Sequence, residues 1–210
     1  MSLVLAADYR VPDFDHWWAR LTGDLPRLPS LGAHHIVVYR SLDDASRVFV
    51  TIGVRERGPV DALLRSPVMF SWFDSAGVEE IPPMFAGEVV EKLELAGDAA
   101  APAVPGAVIV AAIAPVGRLE GFEGLDRLRA SVHAAVARLA ASGVRRFWIY
   151  RALDDQAEVM ILLQIATERQ AEQWIRHPDA AAAFMAEAGA GADPPLFVGR
   201  LVQAIEVPGD

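Results

Sequence analysis

The side chains of this sequence best suited to chemistry fall into one pattern on two short segments. His35, Val37 and Tyr39 alternate along one, and Arg146, Trp148 and Tyr150 alternate along the other. Both segments are rich in β-branched and aromatic residues. Alternate residues of a strand share a face, so each set points one way. Gln164 falls on the matching face of a neighbouring strand. Aromatic rings with a few polar groups are what a ligand pocket uses. An imidazole titrates near neutrality, which makes His35 the candidate general acid or base. Tyr39, Arg146, Trp148, Tyr150 and Gln164 are the candidate substrate-binding residues. The same rings would also serve a sheet–sheet core with satisfied polar tips.

Other clusters carry less. His34 and His35 are adjacent on a strand, so their side chains are expected on opposite faces, unable to hold one metal ion together without a bulge. No metal site is expected. His16 precedes Trp17 and Trp18 on a helix, where one indole is expected to pack on the sheet. Asp43-Asp44 and Asp154-Asp155 are paired carboxylates, but Asp favours turns because it bonds its own downstream backbone. The chain has no Cys, which removes disulfides, thiolate metal sites and Cys nucleophiles together. Lys92 is the only lysine, it sits in no Gly-rich loop, and there is no Asn. A Lys-bearing phosphate loop therefore cannot be written, and no G-x-S-x-G, H-E-x-x-H or G-x-G-x-x-G is present. No cofactor is expected.

The elements that must position these residues are written twice. Val38-Tyr39-Arg40-Ser41-Leu42-Asp43-Asp44 recurs 111 residues later as Ile149-Tyr150-Arg151-Ala152-Leu153-Asp154-Asp155. From Val38 to Pro67, 8 of 30 positions are identical to their counterparts; from Pro82 to Leu95, shifted by one more residue, 6 of 14 are. Chance would give about one in each window at ordinary composition, so the chain reads as a tandem repeat. The predicted repeats are 1–95 and 107–210. Between them, 96–106 has the small-residue, Pro-rich composition of a linker.

Each repeat reads strand–helix–strand–strand–helix–strand. Val108 to Ile113 is an apolar strand run. Leu125, Leu128, Val132, Val136 and Leu139 lie on one helix face, closed by Gly143. Thr167-Glu168-Arg169-Gln170 is a capping-box pattern. Pro67 and Pro178 mark helix breaks. Val48, Val50, Ile52 and Val54 form an apolar face assigned to the helices, which leaves Phe49, Thr51 and Gly53 on the other.

This order is the ferredoxin-like motif. With the doubled Tyr-Arg-x-Leu-Asp-Asp hairpin and the duplicated length, the sequence resembles the dimeric α/β-barrel superfamily. The expected fold is α+β: two ferredoxin-like βαββαβ repeats fused into one pseudo-dimeric α/β barrel. The wording of the chain also resembles small actinobacterial proteins sometimes labelled fatty-acid–CoA ligase. Acyl-adenylating ligases are much larger and need an ATP-phosphate loop and a Lys, so that activity is disfavoured. What the superfamily resemblance implies is a metal-free enzyme of the isomerase, lyase or monooxygenase kind on a hydrophobic or aromatic compound. The alternatives are a non-catalytic binder of such a compound and a haem-binding barrel. Similar monooxygenases often use an Asn–Trp pair, and the missing Asn counts against that subclass.

Net charge is −9, and both halves are acidic, with 9 basic against 15 acidic residues up to Pro105 and 10 against 13 after it. Nucleic acid and anionic membrane surfaces are therefore disfavoured as partners. No apolar run is long enough to span a bilayer, and no secretory leader is read. The expected protein is cytoplasmic, binds a hydrophobic small molecule, and has a homodimer of the fused chain as a possible assembly.

Overall fold

The computed structural model describes residues 3–64, 66–95, 106–116, 123–176 and 196–207. The first repeat supplies β1 (Leu3–Arg10), α1 (Phe14–Asp24), two 3-10 turns, β2 (Ala33–Ser41), β3 (Arg47–Val54), α2 (Arg57–Leu64), α3 (Pro67–Ser75) and β4 (Phe85–Glu94). The second supplies β5 (Val108–Pro115), α4 (Glu123–Ala134), α5 (Val136–Ala141), β6 (Val144–Ala152), β7 (Glu158–Ile165), α6 (Glu168–Arg176) and β8 (Phe197–Glu206). The fold class is α+β, with the ferredoxin-like order in both repeats. Strand lengths run 8, 9, 8 and 10 residues in the first repeat and the same in the second.

The local reasons are those in the sequence. Asp13 caps α1 by accepting from His16 N at 2.9 Å. Pro67 opens α3 at the position where a missing N–H costs nothing, so the helix breaks between Leu64 and Pro67. Gly143 follows α5 at φ +93, a conformation that favours glycine. Thr167 accepts from Gln170 N at 3.3 Å and its hydroxyl donates to Gln170 Oε1 at 2.8 Å. The single helix expected through Leu125 to Leu139 divides at Ala135 into α4 and α5. The proposed linker, apart from Gly106, and Pro178 lie outside the described residues.

Two compact units result, and their boundaries differ from those of the repeats: 1–86 with 201–210, and 87–200. The cause is the long fourth strand of each repeat. In the first unit β1, β3 and β2 pair antiparallel in that order, and Val207 N donates to His34 O at 3.0 Å beside β2. In the second unit β5 lies between β7 and the start of β8, and β6 lies between β7 and Gly87–Glu94 of β4. A strand coded in the first repeat thus completes the sheet of the second unit.

The helix-facing side of the first sheet carries Ala7, Tyr9, Ile36, Val38, Val48 and Val50 against Trp17 and Leu21 of α1 and Phe73 of α3. Trp17 is fully buried and Trp18 half-buried, as expected for adjacent helix positions. The other side carries Tyr39, Phe49 and Thr51, all buried. This is the division of faces that strand alternation predicts.

Candidate functional site

The first unit holds a cavity of about 480 Å³. It lies on the helix-covered side of the sheet. Leu5, Ala7 and Tyr9 of β1 and Val50 and Ile52 of β3 form its floor. Leu21, Leu28, Leu63, Met69, Trp72, Phe73 and Met84 wall it. Helices α1, α2 and α3 leave part of the sheet face uncovered, and large side chains surround the gap instead of filling it. Tyr9 packs edge-on against Trp17 at 6.1 Å and against Phe73 at 5.5 Å between ring centroids. Burial pushes the Tyr9 hydroxyl well above the usual tyrosine range. It keeps its proton across physiological pH, so it is a hydrogen-bond donor and not a base.

The polar groups of the lining are few. Arg20 and Asp24 lie one helix turn apart on α1, with Arg27 just beyond. Exposed Arg27, Ser71 and Ser75 mark where the cavity meets solvent. The Trp72 indole donates to Asp24 Oδ2 at 3.0 Å and ties α3 to α1 across the opening. Arg27 Nη1 donates to Asp24 Oδ1 at 3.1 Å. Arg20 Nε, a buried nitrogen of this region, makes no hydrogen bond, though it stands 3.3 Å from Asp24 Oδ2.

The six residues singled out in the sequence do not line this cavity. His35 and Tyr39 lie in the first unit, on the opposite face of its sheet. Tyr39 is buried beside Phe49, with 6.3 Å between ring centroids. The second unit brings the other four together on two adjacent strands: Arg146 pairs with Gln164, Trp148 with Leu162 and Tyr150 with Met160. Burial pushes the Tyr150 hydroxyl up to about 12. The cavity residues were missed because they come from separate elements at no fixed spacing. A signal did exist. Met69, a cavity residue, aligns with an alanine, Ala180 or Ala181, at either of the two repeat offsets.

One expectation is corrected. His34 and His35 do meet, because β2 carries a bulge between Ala33 and His35. The extra residue turns both rings to one side, with Nδ1 atoms 2.8 Å apart and ring centroids 4.3 Å apart. One ring carries its proton on Nδ1 and donates; the other accepts. Gly53, the cross-strand partner of His35, makes room for the ring: a Cβ there would lie 2.1 Å from His35 Cε1. Burial lowers both imidazole pKa values; Arg55 adds to this at His34, and His34 at His35, while Glu206 opposes it at His35. β6 has the same bulge between Val144 and Arg146, with Arg146 in the place of His35 and Gln164 in that of Gly53. Among the described residues, no three His, Asp or Glu side chains converge as a metal set.

The paired Asp residues act in turns. Asp44 Oδ1 accepts from Ser46 N at 3.0 Å and from its hydroxyl at 2.6 Å, and Asp155 Oδ1 accepts from Ala157 N at 2.9 Å. His133 is exposed.

No family model matches the sequence, and no curated protein matches it. Solved structures do. An anthrone oxidase-like protein superposes with a TM-score of 0.71 at 13% identity, over 98% of this chain and 93% of that one. A ferredoxin fold protein of Listeria monocytogenes related to antibiotic biosynthesis monooxygenases gives 0.54 at 9%, over 97% and 95%. A heme-binding protein of Thermus thermophilus gives 0.54 at 18%, over 97% and 93%. At these identities the likeness shows the fold, the ferredoxin-like α/β-barrel class. None of these structures supports the ligase label. No helix among the described residues is long and apolar enough to cross a membrane.

Proposed function

We propose that this chain binds an apolar aromatic small molecule in the cavity of its first unit and acts as a monooxygenase-like protein. The observation that carries the reading is the cavity itself: about 480 Å³, walled by aliphatic, aromatic and thioether side chains, with charge confined to one end. That volume suits a molecule of two to four fused rings, within the ordinary range for ligand pockets. Trp72, Phe73 and Tyr9 offer ring faces and edges, and Met69 and Met84 adapt to shape. The anthrone oxidase-like and monooxygenase-related neighbours favour a polycyclic substrate of the anthrone kind.

The described lining limits the chemistry. It contains no imidazole, and Tyr9 is held protonated. A substrate that ionises easily by itself fits such a site better than one needing a strong protein base. The same lining does not fit a haem, since no histidine faces the cavity and burial opposes the tyrosinate form of Tyr9 that would bind iron. His35 lies elsewhere, so a role for it in catalysis would need a second site.

The test is a fluorescence titration with anthrone and anthraquinone, because Trp72 lines the cavity. Saturable quenching with a micromolar Kd is expected. Ala7→Phe, which pushes a ring into the cavity from β1, should abolish it while the far-ultraviolet dichroism stays unchanged. Unquenched fluorescence with both ligands, or quenching that survives Ala7→Phe, sinks the reading. Oxygen uptake with anthrone then separates an enzyme from a binder.

A further inference from the structure

We infer that this cavity selects its ligand by a ring carbonyl, and that the Tyr9 hydroxyl is the group that reads it. The inference rests on the proposed cavity reading and adds a functional group and an orientation to it. Tyr9 is a buried residue of β1 that lines the cavity floor beside Leu5 and Ala7. Trp17 and Phe73 hold its ring edge-on, with centroids 6.1 and 5.5 Å away. The indole N–H of Trp17 donates to the hydroxyl oxygen, but burial outweighs that support and keeps the hydroxyl protonated. The oxygen thus accepts one hydrogen bond and still has a proton to give. Among the described residues no acceptor takes that proton, and the hydroxyl is not sealed off from the cavity.

A buried donor without an acceptor is a cost that a bound ligand can remove. Accepting from Trp17 also polarises the O–H and makes it a better donor. The surroundings of Tyr9 decide which kind of oxygen fits. Leu5, Ala7, Val50 and Ile52, the rest of the floor, bring no polar side-chain atom. An anionic oxygen would lose its water there with no cation beside it. A ligand hydroxyl could accept from Tyr9, but its own proton would find no acceptor on that floor. A carbonyl brings lone pairs and no proton, so it satisfies Tyr9 without creating a new orphan. The ligand is therefore a polycyclic ketone or quinone, seated with its carbonyl at β1 and its rings toward Met69 and Trp72.

Fluorenone and fluorene share one tricyclic outline and differ in the carbonyl. Their Kd values are measured by equilibrium dialysis with wild type and with Tyr9→Phe, which keeps the ring and its packing. Comparing the fluorenone-to-fluorene ratio between the two proteins cancels the difference in how water treats the two compounds. Wild type should favour fluorenone about fivefold more than Tyr9→Phe does, the net worth of a neutral hydrogen bond. The infrared stretch of the bound carbonyl, picked out by isotope labelling of that carbon, is a second readout. It should lie below its position in hexane with wild type and move back toward it with Tyr9→Phe. Should Tyr9→Phe fail to fold, the wild-type stretch decides. Equal ratios in the two proteins, or a hexane-like stretch in wild type, overturn the inference and leave the cavity reading standing. Binding of neither compound overturns both.

Discussion

At the scale of single residues, the His34–His35 pair makes two predictions. The first concerns Gly53. A methyl group there would stand 2.1 Å from His35 Cε1 and 2.4 Å from Nδ1, so the imidazole must leave its place. The backbone is not at fault, since Gly53 is an ordinary strand residue where alanine would otherwise be neutral or slightly stabilising. Gly53→Ala should therefore cost about 1–3 kcal/mol, as overpacking does. In a His35→Ala background the same change should cost nothing. Urea melts of the four proteins check this: a coupling energy of about 1 kcal/mol or more is expected, and simple additivity would show that ring and glycine are independent.

The second concerns pH. The rings face each other, Arg55 and Glu206, and both folded-state pKa values are lowered, with burial the largest cause. A histidine whose pKa is depressed by folding binds fewer protons in the folded state than in the unfolded one. Stability then rises with pH through this interval and falls as pH drops below the unfolded value of about 6.5. Tm should be nearly flat above pH 7 and should decline from pH 7 to pH 5. His35→Phe should flatten that decline, because it removes one titrating ring and the repulsion it would suffer from the other. A wild-type profile that is level from 7 to 5 contradicts the geometry.

At the scale of elements, the sequence was legible wherever one element carried its own signal. Gly143 ends α5 and Thr167 caps α6 because a positive φ and an orphan N–H are local requirements met by local residues. The two faces of β3 followed from alternation alone. The bulge in β2 was not legible. It is set by how Ala33 and His35 pair with Val54 and Gly53, and one strand read by itself does not show its partner's register. The cavity was missed for a related reason. Strand alternation located polar and aromatic residues on the sheet side away from the helices, where His35 and Tyr39 indeed lie. A gap between helices is a failure of packing, and no spacing rule records it. What the sequence did hold was the difference between its copies. Met69 lines the cavity in the first, and its counterpart in the second is an alanine, Ala180 or Ala181, at either offset.

At the scale of the whole molecule, the repeat and the compact unit have different boundaries. A domain boundary drawn at the repeat junction would place β4 with residues 1–95. In the structure, Gly87–Glu94 belongs to the compact unit of residues 87–200 and pairs with β6 from Glu94↔Arg146 to Gly87↔Ala152. The pairing carries side-chain bonds too: Glu88 with Arg151, and Glu91 with Arg129 of α4 at 2.7 Å. A fragment of residues 107–210 keeps every strand of its repeat but loses this one. Its β6 would then present an open edge, with unpaired backbone groups and an unpaired, half-buried Arg151. A fragment of residues 85–210 restores the strand and both acidic partners. The shorter fragment should aggregate or melt at least about 10 °C below the longer one, since for a domain of this size 1 kcal/mol shifts Tm by roughly 4–8 °C and several backbone hydrogen bonds are lost. Hydrogen exchange at the β6 amides gives the local readout, with protection in 85–210 and little in 107–210. Equal Tm and equal protection in the two fragments would show that the repeat folds without the borrowed strand, and that the exchange of β4 adds nothing to the stability of the second unit.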